Sequence, residues 1–566
     1  MSNQKRRYEL LAPAGKVSSV RPLLENGANA IYVGLAGRSS RPSQSDLTME
    51  EIRQAAEICR EFGAKLHVAA NAFVPEQASE ALQQELLTLD ETGADAVILA
   101  DWGMLSFACR NLKRLEVHAS TLLGAYNTDS LLTLKDMGVT RVVCSTNLYL
   151  DEICSMIDAV PQLEYEVVAD GGICMNDNRL CELPHIVDGN RHYQVFCKQD
   201  FTVHDRDSGE RWPATLKNQN IHFWHSAAPF LDAGVYSFKM EGRTVDLSSL
   251  LPRVRRMKAE LELALQAPAG KTALHYVRHL RGNPVLPQEA EPPAEPASVP
   301  GGSRTYVALE RYEDSLCAAL DQFDDTAGFL LGDLACNRRM FDYGDAGMIH
   351  MAETLRRAGK EVIYQTPLYL TDRNFQAVTD LVRCFYEQMD VRQFVVQDVG
   401  MLRWITRHYP GAAVIWGRTG LGRFSQISYS LVQFLREQKV SAFESDSPAR
   451  LAFMHSKGLP TVADYGSLRY QTLWRECYSA SFAACDAADC RQVCRSRALE
   501  LEHPNGSIPV DGYFLSRRLV YLPHQQLQAL AECGAEQRFL YAETWQDALE
   551  RRQELKGVRA DGSAGF

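Results

Sequence analysis

Short apolar runs alternate with amphipathic stretches along the first half of the chain. Eight such runs occur between residues 8 and 242: YELLAP, AIYVGL, KLHVAAN, AVILAD, LEVHAS, RVVCST, YEVVAD and YSFKMEG. Between them lie segments such as MEEIRQAAEICREFG, whose apolar residues recur at helical spacing. This rhythm predicts parallel strands joined by crossover helices. Eight strands favour a closed (β/α)8-like barrel, although an open doubly wound sheet also fits the pattern.

The second half of the chain repeats the first. VILADWGMLSFA at 97–108 corresponds to FVVQDVGMLRWI at 394–405, an offset of 297 that makes Asp101 and Asp398 equivalent. At nearly the same offset AIYVGLAGRSSR matches GFLLGDLACNRR, and VVADGG matches TVADYG. Collinear matches of this kind indicate an internal duplication. We therefore predict an α/β protein of two tandem (β/α)8-like units, in which each shared aspartate caps the helix that follows it.

A proline-rich, acidic stretch, GNPVLPQEAEPPAEPASVPGG, separates the two halves and has no apolar period. We divide the chain accordingly into a first barrel unit at 1–281, a linker at 282–303 and a second barrel unit at 304–566.

Composition and charge narrow the class of protein. Of the 566 residues, 46% are hydrophobic and 23% charged, which is typical of a folded globular protein. The net charge of -11 opposes a general attraction to nucleic acid or anionic lipid. Since the sequence shows neither an apolar leader nor a long uncharged stretch, we expect no membrane span and a cytoplasmic location.

The clustering of the fifteen cysteines points to metal binding, because thiols in the cytosol stay reduced. In the second half, Cys477, Cys490 and Cys494 form a C-x12-C-x3-C pattern. One more cysteine, Cys336, follows a predicted strand of the same barrel. The first half has three at the equivalent place: Cys174, Cys181 and Cys197. Thiolates select zinc or an iron-sulfur cluster, and this spacing favours a cluster over unligated loop cysteines.

Polar residues at the strand ends are the candidates for catalysis, because parallel barrels bind their ligands at the carboxyl ends of the strands. Four of them are singled out: Asn71, His118, Glu241 and Arg243. The guanidinium of Arg243 suits a carboxylate-bearing ligand. The alternatives are a Glu-Arg pair that closes the barrel and a structural histidine.

Several of these motifs together resemble the peptidase U32 family. In the first half they are ELLAPAGKVSSVRPLLENGANAIYVGL, LHVAANAF, ILADWGML, the cysteine-bearing segment after EVVADGG, and SFKMEGRT. Within the family this half is similar to the UbiU type. The second half, with GDLACNRR, its cysteine spacing and HPNG, is similar to the UbiV type.

The resemblance implies an iron-sulfur enzyme that hydroxylates without dioxygen, as in ring hydroxylation during ubiquinone biosynthesis. It implies an aromatic or quinone-precursor substrate, a prephenate-like oxygen donor and an electron donor protein. A 4Fe-4S cluster would be held in the second unit by Cys336, Cys477, Cys490 and Cys494. In the first unit Cys174, Cys181 and Cys197 match the family but a fourth cysteine is missing, so a second cluster there is left open. Catalysis is then assigned to the first unit and electron supply to the second.

Two other activities remain as alternatives. The first is hydroxylation of a base in ribosomal or transfer RNA, which other U32 proteins perform; the acidic balance disfavours it, although RVRRMK at 253–258 is basic. The second is peptide hydrolysis, as the family name suggests. No HExxH, Ser-His-Asp or Cys-His motif supports a peptidase.

Overall fold

A computed structural model describes residues 7–561 except for the following segments: 41–44, 73–75, 173–178, 180–199, 216–219, 223–226, 267–294, 301, 303, 342, 421–426, 470–471, 474–478, 480–493, 495–496, 504–505, 512–513 and 516–517. Five of the predicted ligands lie outside the described residues: Cys174, Cys181, Cys197, Cys477 and Cys490. Most of the predicted linker does as well.

The first half forms a closed barrel of eight parallel strands. These are Glu9–Pro13, Ala30–Leu35, Lys65–Ala69, Ala96–Leu99, Glu116–Ala119, Arg141–Val143, Glu164–Gly172 and Ser237–Met240. The ring closes because the first strand pairs in parallel with both the second and the last. Every predicted apolar run supplies one strand, so the barrel prediction is confirmed and the open-sheet alternative is wrong.

Helices connect these strands and cover the outside of the barrel. They are Val20–Glu25, Met49–Glu61, Glu76–Leu89, Trp102–Asn111, Thr128–Met137, Leu150–Ala159, Ala227–Ala233 and Leu247–Gln266. Helix Met49–Glu61 shows how local sequence sets their bounds. It begins at a capping box in which Thr48 and Glu51 satisfy each other's amides. Its buried residues, Ile52, Ala55, Ala56 and Cys59, form one stripe against the strands.

The second half repeats the architecture. Its closed barrel consists of Arg304–Leu309, Gly328–Leu331, Glu361–Gln365, Gln393–Val396, Ala413–Trp416, Ala442–Ser445, Thr461–Asp464 and Gln537–Ala542. Its α-helices are Asn337–Met340, Asp345–Arg357, Asp372–Arg383, Val399–His408, Tyr429–Glu437, Pro448–Ser456, His524–Glu532 and Trp545–Asp561. Residues 314–323 add 3-10 turns and residues 384–388 a π-turn.

None of the helices in the described ranges combines the length and the hydropathy that crossing a bilayer demands.

A small antiparallel sheet joins the two halves. Each barrel has an insertion before its last strand, and the insertions share six strands in the order Arg211–Thr215, Asp200–Asp205, Leu499–His503, Gly506–Asp511, Phe514–Leu515 and Thr472–Leu473. The junction is the pair of strands Asp200–Asp205 and Leu499–His503, one from each half. An ion pair between Arg497 and Asp205 adds to it. The strands that follow the two cysteine-bearing segments are therefore paired with each other.

The barrels also pack through two helices from each. Helix Trp102–Asn111 packs on Tyr429–Glu437, and Thr128–Met137 packs on Val399–His408. These helices follow the fourth and fifth strands of their barrels, so each pair joins a fourth-strand helix to a fifth-strand helix. The interface thus has approximate two-fold symmetry, like that of an isologous dimer.

The duplicated aspartates cap helices at this interface, as predicted. Asp101 accepts a hydrogen bond from the Met104 amide at 2.8 Å, and Asp398 accepts one from the Met401 amide at 2.9 Å. Both carboxylates are buried, and burial raises the pKa of each to about 6. Asn127 crosses the interface and donates to Asp398 at 3.0 Å.

Candidate active site at the mouth of the first barrel

Asn71, Glu241 and Arg243 lie at the carboxyl ends of first-barrel strands, as the sequence predicts. Asn71 follows strand Lys65–Ala69, and its side-chain oxygen accepts the Ser40 amide at 3.1 Å. Its amide nitrogen lies 3.4 Å from Ser120 Oγ, at the end of a nearby strand. The Asn71 amide therefore bridges two loops of the mouth.

Arg243 spans the mouth from the last strand to the loop after the second. Its Nη1 donates to Asp46 at 2.6 Å, and its Nη2 donates to Ser39 Oγ at 2.7 Å. Gly34 makes room for this guanidinium, since a Cβ there would lie 1.9 Å from Arg243 Nη1. Both terminal nitrogens of Arg243 are thus engaged, Nη1 by Asp46 and Nη2 by Ser39.

Glu241 lies where the first cysteine-bearing segment leaves the barrel. Its Oε2 accepts the Gly172 amide at 3.1 Å. A Cβ at Gly171 would lie 2.7 Å from Glu241 Cγ, so the backbone and the carboxylate are in close contact. Gly172 precedes Cys174 by two residues. The Glu241 side chain therefore fixes the backbone from which that segment starts.

Arg253, which the sequence reasoning missed, completes this side of the mouth. It comes from helix Leu247–Gln266 and binds buried Asp170 through two hydrogen bonds of 2.8 Å each. It also donates to the Glu241 carbonyl at 3.2 Å. A bidentate pair neutralises the buried carboxylate and holds the strand end rigidly.

His118 lies deeper than the other candidates, within strand Glu116–Ala119 and fully buried. Its ring stands edge-on to that of His67, with ring centroids 5.0 Å apart. Donor atoms of His67, His118 and Glu166 all lie within 4.8 Å of one another. We call these three residues the histidine-glutamate cluster. It occupies the barrel interior below the mouth.

Two cations neutralise the carboxylate of the histidine-glutamate cluster. Lys239 donates to Glu166 at 3.0 Å, and Arg141 lies 3.3 Å from it. Although burial alone would raise the pKa of Glu166, these charges outweigh it and lower the pKa. Burial, the adjacent His118 and Arg141 hold the pKa of His67 well below its usual value. Both nitrogens of His67 are buried without a hydrogen-bond partner among the described residues, and Nε2 lies 3.9 Å from Glu9 Oε2.

Two imidazoles and a carboxylate are a donor set known from iron(II) sites. In this barrel Glu166 already forms a salt bridge with Lys239. The positive charge of Lys239 would repel a divalent cation bound at the same carboxylate oxygen. The arrangement suits a charge-compensated network better than a metal centre. A signal for it exists in the sequence: His67 and Glu166 are polar residues at inward-facing positions of otherwise apolar strands.

Arg179 links the first cysteine-bearing segment to the interface between the barrels. It is 4% exposed, and its guanidinium lies 5.1 Å from the centre of the Tyr126 ring. Tyr126 in turn stacks on Tyr369 of the second barrel, with ring centroids 4.5 Å apart. The positive charge of Arg179 also counteracts the burial that raises the pKa of Asp398. A residue between Cys174 and Cys181 is thus anchored beside the second barrel.

Of the predicted cluster ligands, Cys336 and Cys494 are described. Cys336 follows strand Gly328–Leu331, and its amide donates to Asp333 at 3.0 Å. It lies at the carboxyl rim, where the other cysteine-bearing insertion also leaves after Thr461–Asp464. Both thiols are partly buried. By contrast, Cys59 and Cys144 lie in the core, where burial raises the thiol pKa to about 12 and makes them poor ligands.

The first barrel also has counterparts among known proteins. Residues 15–278 match the family model for peptidase family U32. The match includes seven of the eight strands of the first barrel, which we therefore call the U32 barrel. A solved structure of the U32 peptidase Mk0906 aligns with 43% of this chain and 96% of its own, at 10% identity and a TM-score of 0.31.

Curated relatives of this chain include proteins named for RNA modification. It is 29% identical over 257 residues to the 23S rRNA 5-hydroxycytidine C2501 synthase of Escherichia coli (strain K12), covering 44% of this chain and 38% of that protein. It is 26% identical over 250 residues to tRNA hydroxylation protein P1 of Bacillus subtilis (strain 168), covering 42% of this chain and 59% of that protein. It is 27% identical over 260 residues to a collagenase of Porphyromonas gingivalis (strain ATCC BAA-308 / W83), covering 42% of this chain and 61% of that protein. The chain thus spans less than two thirds of each of these three relatives.

Proposed function

We propose that this protein hydroxylates a pyrimidine base of ribosomal or transfer RNA and that the U32 barrel holds the base. The observation that carries the proposal is the similarity to proteins named for 5-hydroxycytidine synthesis in 23S rRNA and for tRNA hydroxylation. This favours the RNA alternative over the hydroxylation of a ubiquinone precursor that the sequence analysis put first. The net charge of -11 counts less than local charge, because only the mouth must receive the RNA strand.

The mouth of the U32 barrel has groups suited to a flipped base. A base that reacts must leave its stack and enter a pocket that reads its hydrogen-bonding edge. The Asn71 amide offers a donor and an acceptor, and the Ser120 hydroxyl lies beside it. Arg243 and Glu241 are fixed by neighbours, so they supply a preorganised rim.

The cysteine set supports a role for a 4Fe-4S cluster in the second unit, held by Cys336, Cys477, Cys490 and Cys494. When bound, such a cluster supplies electron transfer or, at an iron without thiolate, a Lewis acid. The protein's own contribution is positional. Glu241 holds the backbone before Cys174, and Arg179 anchors the segment that follows. A cluster on Cys174, Cys181 and Cys197, the prephenate-like oxygen donor and the electron donor protein remain predictions.

The function is tested by deleting the gene and analysing RNA and quinones from the same cultures. Nucleosides from ribosomal and transfer RNA are analysed by mass spectrometry for an added oxygen, and isoprenoid quinones are quantified in parallel. We expect a hydroxylated pyrimidine to disappear and to return with the wild-type gene. It should not return with Asn71→Ala, whereas Lys113→Ala, an exposed site outside the mouth, should restore it. Unchanged nucleosides with a loss of quinone would reinstate the ubiquinone hypothesis.

The cofactor is tested separately on protein purified without oxygen. Iron, acid-labile sulfide and the visible spectrum are compared for wild type, Cys490→Ser, Cys494→Ser and Cys59→Ser. We expect the first two variants to lose one cluster's worth of iron and the core variant to keep it. Full iron in a Cys490→Ser/Cys494→Ser double variant would exclude both thiols as ligands.

A further inference from the structure

The interior of the second barrel is apolar in its middle and contains buried acidic residues at the carboxyl end of the strands. Its middle is an apolar cluster built from inward-facing residues of the eight strands: Tyr306, Ala308, Leu330, Ile363, Val395, Ala413, Ile415, Ala442, Val462 and Phe539. Glu444 lies two residues beyond Ala442, and Asp464 two residues beyond Val462, so both side chains also face the barrel interior. The two carboxylates are 1% and 0% exposed. We call them the acid pair.

Each carboxylate of the acid pair has one oxygen occupied and one unoccupied. Glu444 Oε1 accepts from the Tyr541 hydroxyl at 2.9 Å, and Asp464 Oδ2 lies 3.3 Å from Arg418 Nη1. Glu444 Oε2 and Asp464 Oδ1 are buried and have no hydrogen-bond donor among the described residues. A buried acceptor without a donor costs free energy, so an arrangement with two of them calls for an explanation.

The duplication provides an internal comparison for the acid pair. Asp464 corresponds to Asp170 of the first barrel, since VVADGG matches TVADYG. Both aspartates are fully buried. Asp170, however, receives two 2.8 Å bonds from Arg253, whereas the contact of Asp464 with its arginine, Arg418, is single and longer, at 3.3 Å. The scaffold can therefore neutralise an aspartate at this place, and the second barrel leaves it incompletely neutralised.

The electrostatics indicate what the acid pair lacks. Burial and the neighbouring Glu444 raise the pKa of Asp464 well above its usual value, because two buried like charges cannot both persist. One proton shared by Glu444 and Asp464 joins the two carboxylates by a hydrogen bond and, together with the positive charge of Arg418, balances the charge of these three groups. A bound cation can replace that proton without creating net charge. Arg418, which follows strand Ala413–Trp416 at the carboxyl end of the barrel, is 11% exposed and is the part of this group nearest to solvent.

The donor set distinguishes between classes of cation. Magnesium and calcium take six or more oxygen ligands, and the acid pair offers one unoccupied oxygen from each of two carboxylates. In the described part of the chain, the one group of three or more metal-ligating side chains is the histidine-glutamate cluster of the first barrel. Two adjacent acceptors instead match a planar group with two parallel N-H donors.

We propose that the mouth of the second barrel is a ligand site for a small organic cation of the guanidinium or amidinium class, whose N-H groups bind Glu444 and Asp464. The site is separate from the mouth of the U32 barrel, and the proposal does not depend on RNA hydroxylation. Binding displaces one proton from the acid pair to solvent.

The test uses the full-length protein and benzamidinium as the probe, measured by isothermal titration calorimetry. At pH 7 we expect saturable binding that releases about one proton, read from titrations in buffers of different ionisation enthalpy. Glu444→Gln and Asp464→Asn should each weaken binding by roughly tenfold or more, because each removes a charged acceptor. Glu361→Gln is the matched control, since Glu361 lies at the amino end of the same barrel. Tetramethylammonium, which lacks N-H donors, should not bind.

Folding of the variants is checked by their melting temperatures, and we expect Glu444→Gln to equal or exceed wild type because it removes one of two ionisable groups from a buried site. The proposal is overturned if benzamidinium does not bind the wild-type protein. It is overturned equally if Glu444→Gln binds the probe as well as wild type does. Binding of Mn²⁺ that Glu444→Gln abolishes, without binding of benzamidinium, would assign the acid pair to a metal instead.

Discussion

Replacing Gly103 by alanine should weaken the contact between the two barrels. Gly103 lies in the first turn of helix Trp102–Asn111, where that helix packs on Tyr429–Glu437. A Cβ at this position would lie 2.3 Å from Leu431 N and 2.6 Å from Ser430 C. Both are backbone atoms, so no side-chain rotation relieves the overlap. The helices must separate by about 1 Å to restore normal contact.

The expected cost is about 1–3 kcal/mol, as for an extra methyl group in a packed core. Separation also disturbs the stack of Trp102 on Phe434, whose ring centroids are 5.2 Å apart. Converted to affinity, this is a loss of about 5- to 150-fold between the two barrels. The equivalent change, Gly400→Ala, places its Cβ 2.0 Å from the Asn127 side-chain oxygen and 2.8 Å from the Ser130 backbone nitrogen. Because the closer contact is with a side chain that can move and the backbone overlap is smaller, we expect it to cost less than Gly103→Ala.

The assay requires a protease site in the linker at 282–294, so that the two barrels can be separated covalently after folding. Dissociation of the nicked protein is followed by analytical ultracentrifugation over a dilution series, with Lys113→Ala as the control. Alanine should by itself stabilise the helix by up to about 1 kcal/mol. If nicked Gly103→Ala dissociates no more readily than wild type, the close approach of the two helices does not limit docking.

Three further changes probe buried polar groups. Burial raises the pKa of Asp129 to about 7, so the folded state favours the protonated carboxyl and the free energy of unfolding falls as pH rises from about 4 to 7. Asp129→Asn should remove this pH dependence. If the melting temperatures of variant and wild type changed in parallel with pH, the prediction would be wrong. Arg253→Ala should cost about 3–5 kcal/mol in urea unfolding because Asp170 is left charged and unpaired, and Arg253→Ala/Asp170→Asn should recover part of the loss. Asn127→Ala removes bonds of 3.0 Å to both Asp398 and Leu370, and the nicked pair should weaken by roughly tenfold; unchanged affinity would show that these bonds are replaced by water.

The sequence by itself determined the features that depend on neighbouring residues. Each strand of the first barrel is a short apolar run between amphipathic helices, so its existence can be inferred without knowing its partners. The caps at Asp101 and Asp398 were predictable for the same reason, because a capping side chain bonds to an amide three residues away. The repeat at an offset of 297 predicted the second barrel from the first.

Only the tertiary structure decided which polar groups are buried and what neutralises them. His67 and Glu166 come from strands about one hundred residues apart and meet because the closed barrel turns both inward. Arg253 saturates Asp170, whereas Arg418 leaves one oxygen of Asp464 unoccupied, although the motifs around the two aspartates are alike. The physical reason is that the energy of a buried charge depends on the distance and orientation of its partners. Those are set by closure of each barrel and by the docking of the two.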